Sequence, residues 1–217
     1  MTAAPNHFAD AHLHLSRRDR RLKALIARVG PCTLTPHRDA FRVLCSSIVS
    51  QQISTTAARS ISRRVRALCG RGGIRPHTLA EVSDDQLRAA GLSASKLRSM
   101  RSLSQFFLDN SGITRRLKRM SDEDVIETLL PIHGVGVWTA QMFLIFCMGR
   151  PDVLPTADFG FQAGVRDVYG LPELPKPKAL EELAEPWRPH RTAATWYFWR
   201  SRGFVPQSGQ SPNGKLA

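Results

Sequence analysis

Two glycines, one aspartate and three groups of arginines are the residues of this 217-residue chain whose type and spacing could do chemistry. Gly134 and Gly136 stand two apart in the segment 129–140, which reads as a helix end, a tight Gly-x-Gly hairpin and the start of an apolar helix. Glycines at that spacing let the backbone turn sharply and approach another chain closely, and the new helix offers N–H groups at its positive end. That is a phosphate site made of backbone. Asp158 follows Gly149, Arg150, Pro151, Asp152 and Val153 as a carboxylate in an apolar, proline-rich approach to another helix. Residues 59–75 hold six arginines and no acid, and Arg59, Arg63 and Arg66 recur at helical spacing, on one face. Arg115, Arg116, Lys118 and Arg119 form a second cluster, and Arg188, Arg191, Arg200 and Arg202 a third. A planar guanidinium suits phosphate oxygens better than an ammonium does. With 31 Lys+Arg against 18 Asp+Glu, a net charge of +13, the clusters point to a polyanion, most simply nucleic acid.

The elements that must position these residues are helices. Residues 17–29 place Leu22, Leu25, Ile26 and Val29 on one face and stop at Gly30 and Pro31. Residues 40–50 and 54–69 read as two more helices, separated by the polar step Ser50, Gln51, Gln52, Ile53, Ser54. Ser83 with Gln86 makes a capping box, Ser93 can cap the helix carrying Leu97, Met100, Leu103 and Phe107, and Ser121 opens another. No stretch shows period-two alternation with hairpin turns, so the expected fold is all-α. Residues 205–217, rich in Ser, Gly, Pro and Gln, read as a disordered tail.

Composition excludes other classes. A 42% hydrophobic, 23% charged chain can build a core. The longest apolar run, residues 142–148, falls well short of the roughly 20 needed to cross a bilayer, and no signal segment opens the sequence, so a soluble intracellular protein without membrane association is expected. Cysteines 32, 45, 69 and 147 form no Cys-x-x-Cys pair, which argues against a disulfide framework, a cysteine-ligated zinc or an iron–sulfur cluster.

Taken in order, the motifs resemble the helix-hairpin-helix DNA glycosylase superfamily, and within it the 3-methyladenine DNA glycosylase II, or alkylation-repair, branch. They are residues 47–54 with Ala57 and Ala58; Gly91, Leu92 and Ser93 with Lys96; the hairpin with Trp138; the 149–153 run leading to Asp158; and Trp187, Arg188, Pro189, His190, Arg191 and Thr192 followed by Trp199 and Arg200. The resemblance spans roughly residues 40–202. It implies a two-lobed fold with the active-site cleft between the lobes. The expected division is a 1–38 helical segment packing with the C-terminal lobe, a 39–130 lobe carrying a wedge loop, a 131–204 hairpin and catalytic lobe, and the 205–217 tail. The residues before the first motif are too few for the extra N-terminal β domain of some bacterial relatives.

Asp158 matches the family's catalytic aspartate, which stabilises an oxocarbenium-like sugar, activates water, or both. It also reads as the cap of the helix starting near Phe159, and the two roles are compatible. Asp152 and Asp167 read as capping or surface residues. Endonuclease III relatives that cleave the strand carry a lysine in the second half of the hairpin. Here that residue is Trp138, which implies a monofunctional enzyme of the DNA-3-methyladenine glycosylase II type without lyase activity. Trp138 would wall the base pocket, its π face attracting a cationic base by about 0.5–2 kcal/mol. His190 and Met142 fall on further pocket positions, with Phe41 and Phe159 as candidates that core packing explains equally well. Gln52 matches the insertion position that holds the gap open after base flipping, with Ser54 beside it. Gly134 and Gly136 are the backbone phosphate donors, and the carbonyls of Leu130, Ile132 and Gly134 can hold a monovalent cation, Na⁺ or K⁺. No other cofactor is required. The partner is double-stranded DNA containing alkylated bases, met by a monomer. The alternatives are a structure-specific DNA-binding protein that has lost catalysis, and a glycosylase for deaminated, oxidised or etheno bases.

Overall fold

The computed structural model describes residue 8 and residues 10–203, and among these residues there are helices and no strand. The expectation of a disordered 205–217 tail lies outside the described residues. The helices are α1 (Ala11–Arg18), α2 (Arg20–Val29), α3 (Ala40–Ser50), α4 (Thr55–Leu68), α5 (Pro76–Glu81), α6 (Asp84–Ala89), α7 (Ala94–Asp109), α8 (Ile113–Leu117), α9 (Asp122–Leu129), α10 (Val137–Phe143), α11 (Phe159–Tyr169), α12 (Pro177–Ala184) and α13 (Arg191–Ser201), with a π-helical turn at Leu144–Met148. They group into two compact units, one made of residues 1–37 with 144–217 and the other Arg38–Phe143.

In the unit formed by the chain's two ends, α13 is buried on all sides, from Thr192 to Trp199. A helix that is apolar all round must lie in a core, and the rings of Phe161, Trp187 and Phe198 close around it at centroid distances of 5.3–6.5 Å. α11 comes this close because residue 164 is glycine: a Cβ there would stand 2.6 Å from the Phe198 carbonyl oxygen. The expected single helix over 17–29 is broken at Asp19. Its backbone is extended, and its Oδ1 accepts from Arg21 N–H and Leu22 N–H, the competition an aspartate offers a continuing helix. Oδ2 accepts from the Tyr169 hydroxyl and, at 2.8 Å, from the Trp187 indole. One carboxylate thus joins α2 to the end of α11 and to the turn before α13. The phenol it binds is pushed above its ordinary pKa, first by burial and then by this acceptor.

In the other unit α3 and α7 are the packed centre. They pack together, burying Phe41, Leu44 and Ile48 of α3 and Leu97, Met100 and Leu103 of α7, and Phe41 meets Phe107 edge-on at 5.3 Å. The hairpin, which motif order places with residues 131–204, folds with this unit instead. His133 N–H donates to Ser102 Oγ on α7, and Gln51 Nε2 donates to the Gly134 carbonyl, both at 3.0 Å. All four cysteines are buried. Burial pushes the Cys32 thiol up to about 12 and raises Cys45 and Cys69 as well, Cys45 also facing the charges of Asp39 and Cys69.

Replacing Asp19 by alanine removes a helix cap and strands two ring donors, one on the fully buried Trp187. The expected loss is about 2–3 kcal/mol, read from the midpoint of urea unfolding at unchanged slope.

Candidate active site

Asp158 caps α11. Its Oδ1 accepts from the Phe161 N–H at 2.7 Å and from the Trp199 indole N–H at 2.8 Å. The preceding turn is closed by Asp158 N–H on the Pro155 carbonyl, 2.9 Å, and by Gln162 Nε2 on the Thr156 carbonyl, 2.8 Å. Trp199 is itself fixed, 2% exposed and stacked on Phe146 at 5.6 Å with an interplanar angle of 22°. Two rigid donors on one oxygen orient the carboxylate plane at the start of the helix. Phe159, next in the chain, is 66% exposed, so core packing does not explain it; Phe41, 4% exposed, is core.

The hairpin hangs from two buried side chains, Ile132 and Val135, with Val135 N–H donating to the Ile132 carbonyl at 2.9 Å. Its two glycines are glycine for different reasons. Gly134 has φ 76°, and a Cβ there would stand 2.0 Å from Ser99 Oγ, so the fold itself forbids a side chain. Gly136 has nothing within 4 Å of its would-be Cβ. A side chain there would extend into open space. Of the three carbonyls expected to hold a cation, Ile132's accepts from Val135 N–H and Gly134's from Gln51 Nε2. Each of these two carbonyl oxygens thus has one lone pair engaged within the chain.

Gln52 is exposed and has φ 55°. Ser54 beside it is the α4 cap, its Oγ accepting from Ala57 N–H at 3.3 Å. On α10 Trp138 is half-buried and Met142, one turn on, is buried at 4% exposure. Asp158 and His190 belong to one unit, while Trp138, Met142, Gln52, Ser54 and the hairpin belong to the other. Within its unit His190 is the N-cap of α13, nine residues before Trp199, or about 13 Å along the axis. It meets His14 of α1 edge-on at 5.1 Å, and His14 Nε2–H donates to the Pro186 carbonyl at 3.3 Å. Burial and the neighbouring His14 lower the His190 pKa, with Asp152 and Asp10 opposing.

The arginine clusters divide. Arg59, Arg63 and Arg66 on α4 and residues 115, 116, 118 and 119 are exposed. The third cluster is tied down from within: Asp152 accepts from Arg188 and Arg191, Asp167 from Arg202, and Arg200 lies 5.7 Å over the Trp196 ring. The motifs contain Trp199, Lys96 and Gln51 without marking them as site residues. Their roles depend on contacts 41 to 88 residues away along the chain. Among the described residues no group of three or more His, Cys, Asp or Glu could hold a metal ion, and no helix is long and apolar enough to cross a membrane.

A helix, a two-glycine hairpin, a second helix and a doubly bonded helix-capping aspartate define the class. Residues 45–189 match the model of the HhH-GPD superfamily of base excision DNA repair proteins, and the chain belongs to that superfamily. It is similar to DNA-3-methyladenine glycosylase 1 of Schizosaccharomyces pombe, with 32% identity over 88% of this chain and 86% of that protein. An alkylbase DNA glycosidase-like protein of the same organism is 31% identical over 88% of this chain and 92% of its own length. Among solved structures, the S. pombe 3-methyladenine DNA glycosylase in complex with abasic DNA superposes with a TM-score of 0.82 at 31% identity, covering 90% of this chain and 98% of that one. A DNA-3-methyladenine glycosidase from Bacillus halodurans gives 0.75 at 34% identity, covering 93% and 92%.

Gly134→Ala is expected to cost about 1–3 kcal/mol in thermal or urea unfolding, because buried Ser99 must give way. Gly136→Ala should fold with unchanged stability yet bind duplex DNA more weakly in a fluorescence-anisotropy titration. A second expectation concerns pH. The folded chain holds His190 below the ordinary imidazole value, so it binds a proton less readily than the unfolded chain does. Stability is present above about pH 6.5 and is lost as pH falls below it. Melting temperatures between pH 7.5 and 5.5 should fall more steeply in the parent than in His190→Gln.

Proposed function

We propose that the protein is a monofunctional DNA glycosylase that flips alkylated purines of the 3-methyladenine and 7-methylguanine class out of duplex DNA and excises them, acting as a monomer inside the cell. The observation that carries this reading is the Asp158 carboxylate, held by Phe161 N–H and the Trp199 indole in a chain of the base excision repair superfamily. The similarity to proteins named as 3-methyladenine glycosylases supports the substrate class.

The chemistry follows from the substrate's charge. An N-alkylated purine is already cationic, so when the C1′–N bond breaks the base leaves neutral with the bonding electron pair and needs no proton donor. Positive charge passes to the sugar, and the fixed carboxylate stabilises it. Water then adds at C1′, its proton leaving through Asp158 to solvent, and an abasic site remains. No amine waits in the hairpin to attack the sugar, because residue 138 is tryptophan. Its half-buried ring instead offers a π face to the cationic base. Gly136 N–H and its neighbours hold a phosphate, Gln52 fills the space the base vacates, and the exposed arginines add sequence-independent attraction. Water is the only co-reactant.

Purified protein on methylated duplex DNA should release 3-methyladenine or 7-methylguanine and give strand breaks only after alkali. Asp158→Asn should lower single-turnover excision by at least about 100-fold. Trp199→Phe keeps the stack on Phe146 and loses the donor, so kcat should fall by about tenfold with KM little changed. Excision at the parental rate by Asp158→Asn would remove the mechanism.

A further inference from the structure

The step between α3 and α4 is held in a shape its own residues do not favour. Gln52 is the one non-glycine position with positive φ among the described residues. Backbone of that kind persists when neighbouring groups fix the peptides on either side. Two side chains do so here. Lys96, on the first turn of α7, donates from Nζ to the Val49 carbonyl at 2.7 Å and to the Gln51 carbonyl at 2.9 Å. It thereby grips the last turn of α3, the negative end of that helix, and the peptide that immediately precedes Gln52. Gln51 donates from Nε2 to the Gly134 carbonyl and to Thr139 Oγ1, both at 3.0 Å, so the same step is fastened to the hairpin and to α10. Lys96 is partly buried, and that burial lowers its pKa. A long flexible cation is held at carbonyls instead of extending into water, an arrangement with local consequence only for the step it grips.

We propose that Lys96 is a positioning residue for base flipping: its ammonium holds the Gln51 carbonyl, and with it the left-handed Gln52, so that the Gln52 side chain stands ready to enter the duplex. Gln51 completes the device by setting the distance between that side chain and the phosphate-holding hairpin. Without the clamp the step relaxes to ordinary backbone, and insertion has to order it first. The inference rests on the reading of Gln52 as the gap-filling residue.

The test compares Lys96→Met, Gln52→Ala and the double variant on one lesion in two settings, fully paired and opposite an abasic gap, where no pair needs breaking. Single-turnover excision is measured together with the fluorescence of a 2-aminopurine beside the lesion. Lys96→Met should lower excision from paired DNA by about tenfold, with a matching loss of the 2-aminopurine signal, and leave the unpaired setting near the parental rate. Gln52→Ala should show the same selectivity, and the double variant should be no worse than Gln52→Ala, since residues acting as one device are not additive. Lys96→Arg, which keeps charge and donors, should recover most of the loss. Equal losses in both settings, additive effects or an unaffected Lys96→Met would overturn the proposal. An unaffected Gln52→Ala would instead overturn the wedge reading beneath it. Should Lys96→Met fail to fold, Lys96→Gln, able to serve one carbonyl, decides by the same comparison.

Discussion

A carboxylate is held still in a folded core only by fixed donors, and at Asp158 two of them converge on one oxygen. The Phe161 amide supplies a donor that the start of any helix leaves unpaired, and the Trp199 indole supplies a second from a side chain that cannot move. Much of this unit's architecture follows from keeping those donors in place. α13 is buried on every side so that Trp199 is immobile, Gly164 lets α11 come against it, and Asp152 anchors its first turn through Arg191.

The other unit solves a different problem, holding a turn of bare backbone in a fixed place. Here the hairpin is pinned from below, by Ile132, Val135 and the Ser99 contact, and left bare above at Gly136. Polar side chains that bond within this unit, Lys96 and Gln51 among them, convert a loop and a turn into a fixed surface. Preorganised donors lose less on binding than flexible ones do.

What was legible in the sequence was local. Ser83, Ser93 and Ser121 each cap the helix their spacing announces, and Asp158 caps the helix read near Phe159. The Gly-x-Gly hairpin, its Trp138 and the aspartate twenty residues on were enough to place the family. What the chain does not write locally is which distant groups those residues meet. Asp19 breaks a helix that periodicity makes continuous, because its carboxylate has partners at residues 169 and 187. The hairpin sits with the preceding unit because Ser99, Ser102 and Gln51 reach it. The third arginine cluster reads as bare charge, whereas Arg188, Arg191 and Arg202 have carboxylate partners in Asp152 and Asp167. No periodicity records such encounters, since each joins segments whose own patterns are complete without it.

The buried thiols have a meaning beyond packing. Electrophiles that methylate purines also methylate sulfur, and sulfur reacts as the thiolate. A repair protein works where those reagents are present, and its own nucleophiles compete with DNA for them. Here all four cysteines are enclosed, and three of them resist ionisation because the fold denies their charged form solvent. The same core that fixes the helices makes the thiols poor targets for the agents that create the protein's work.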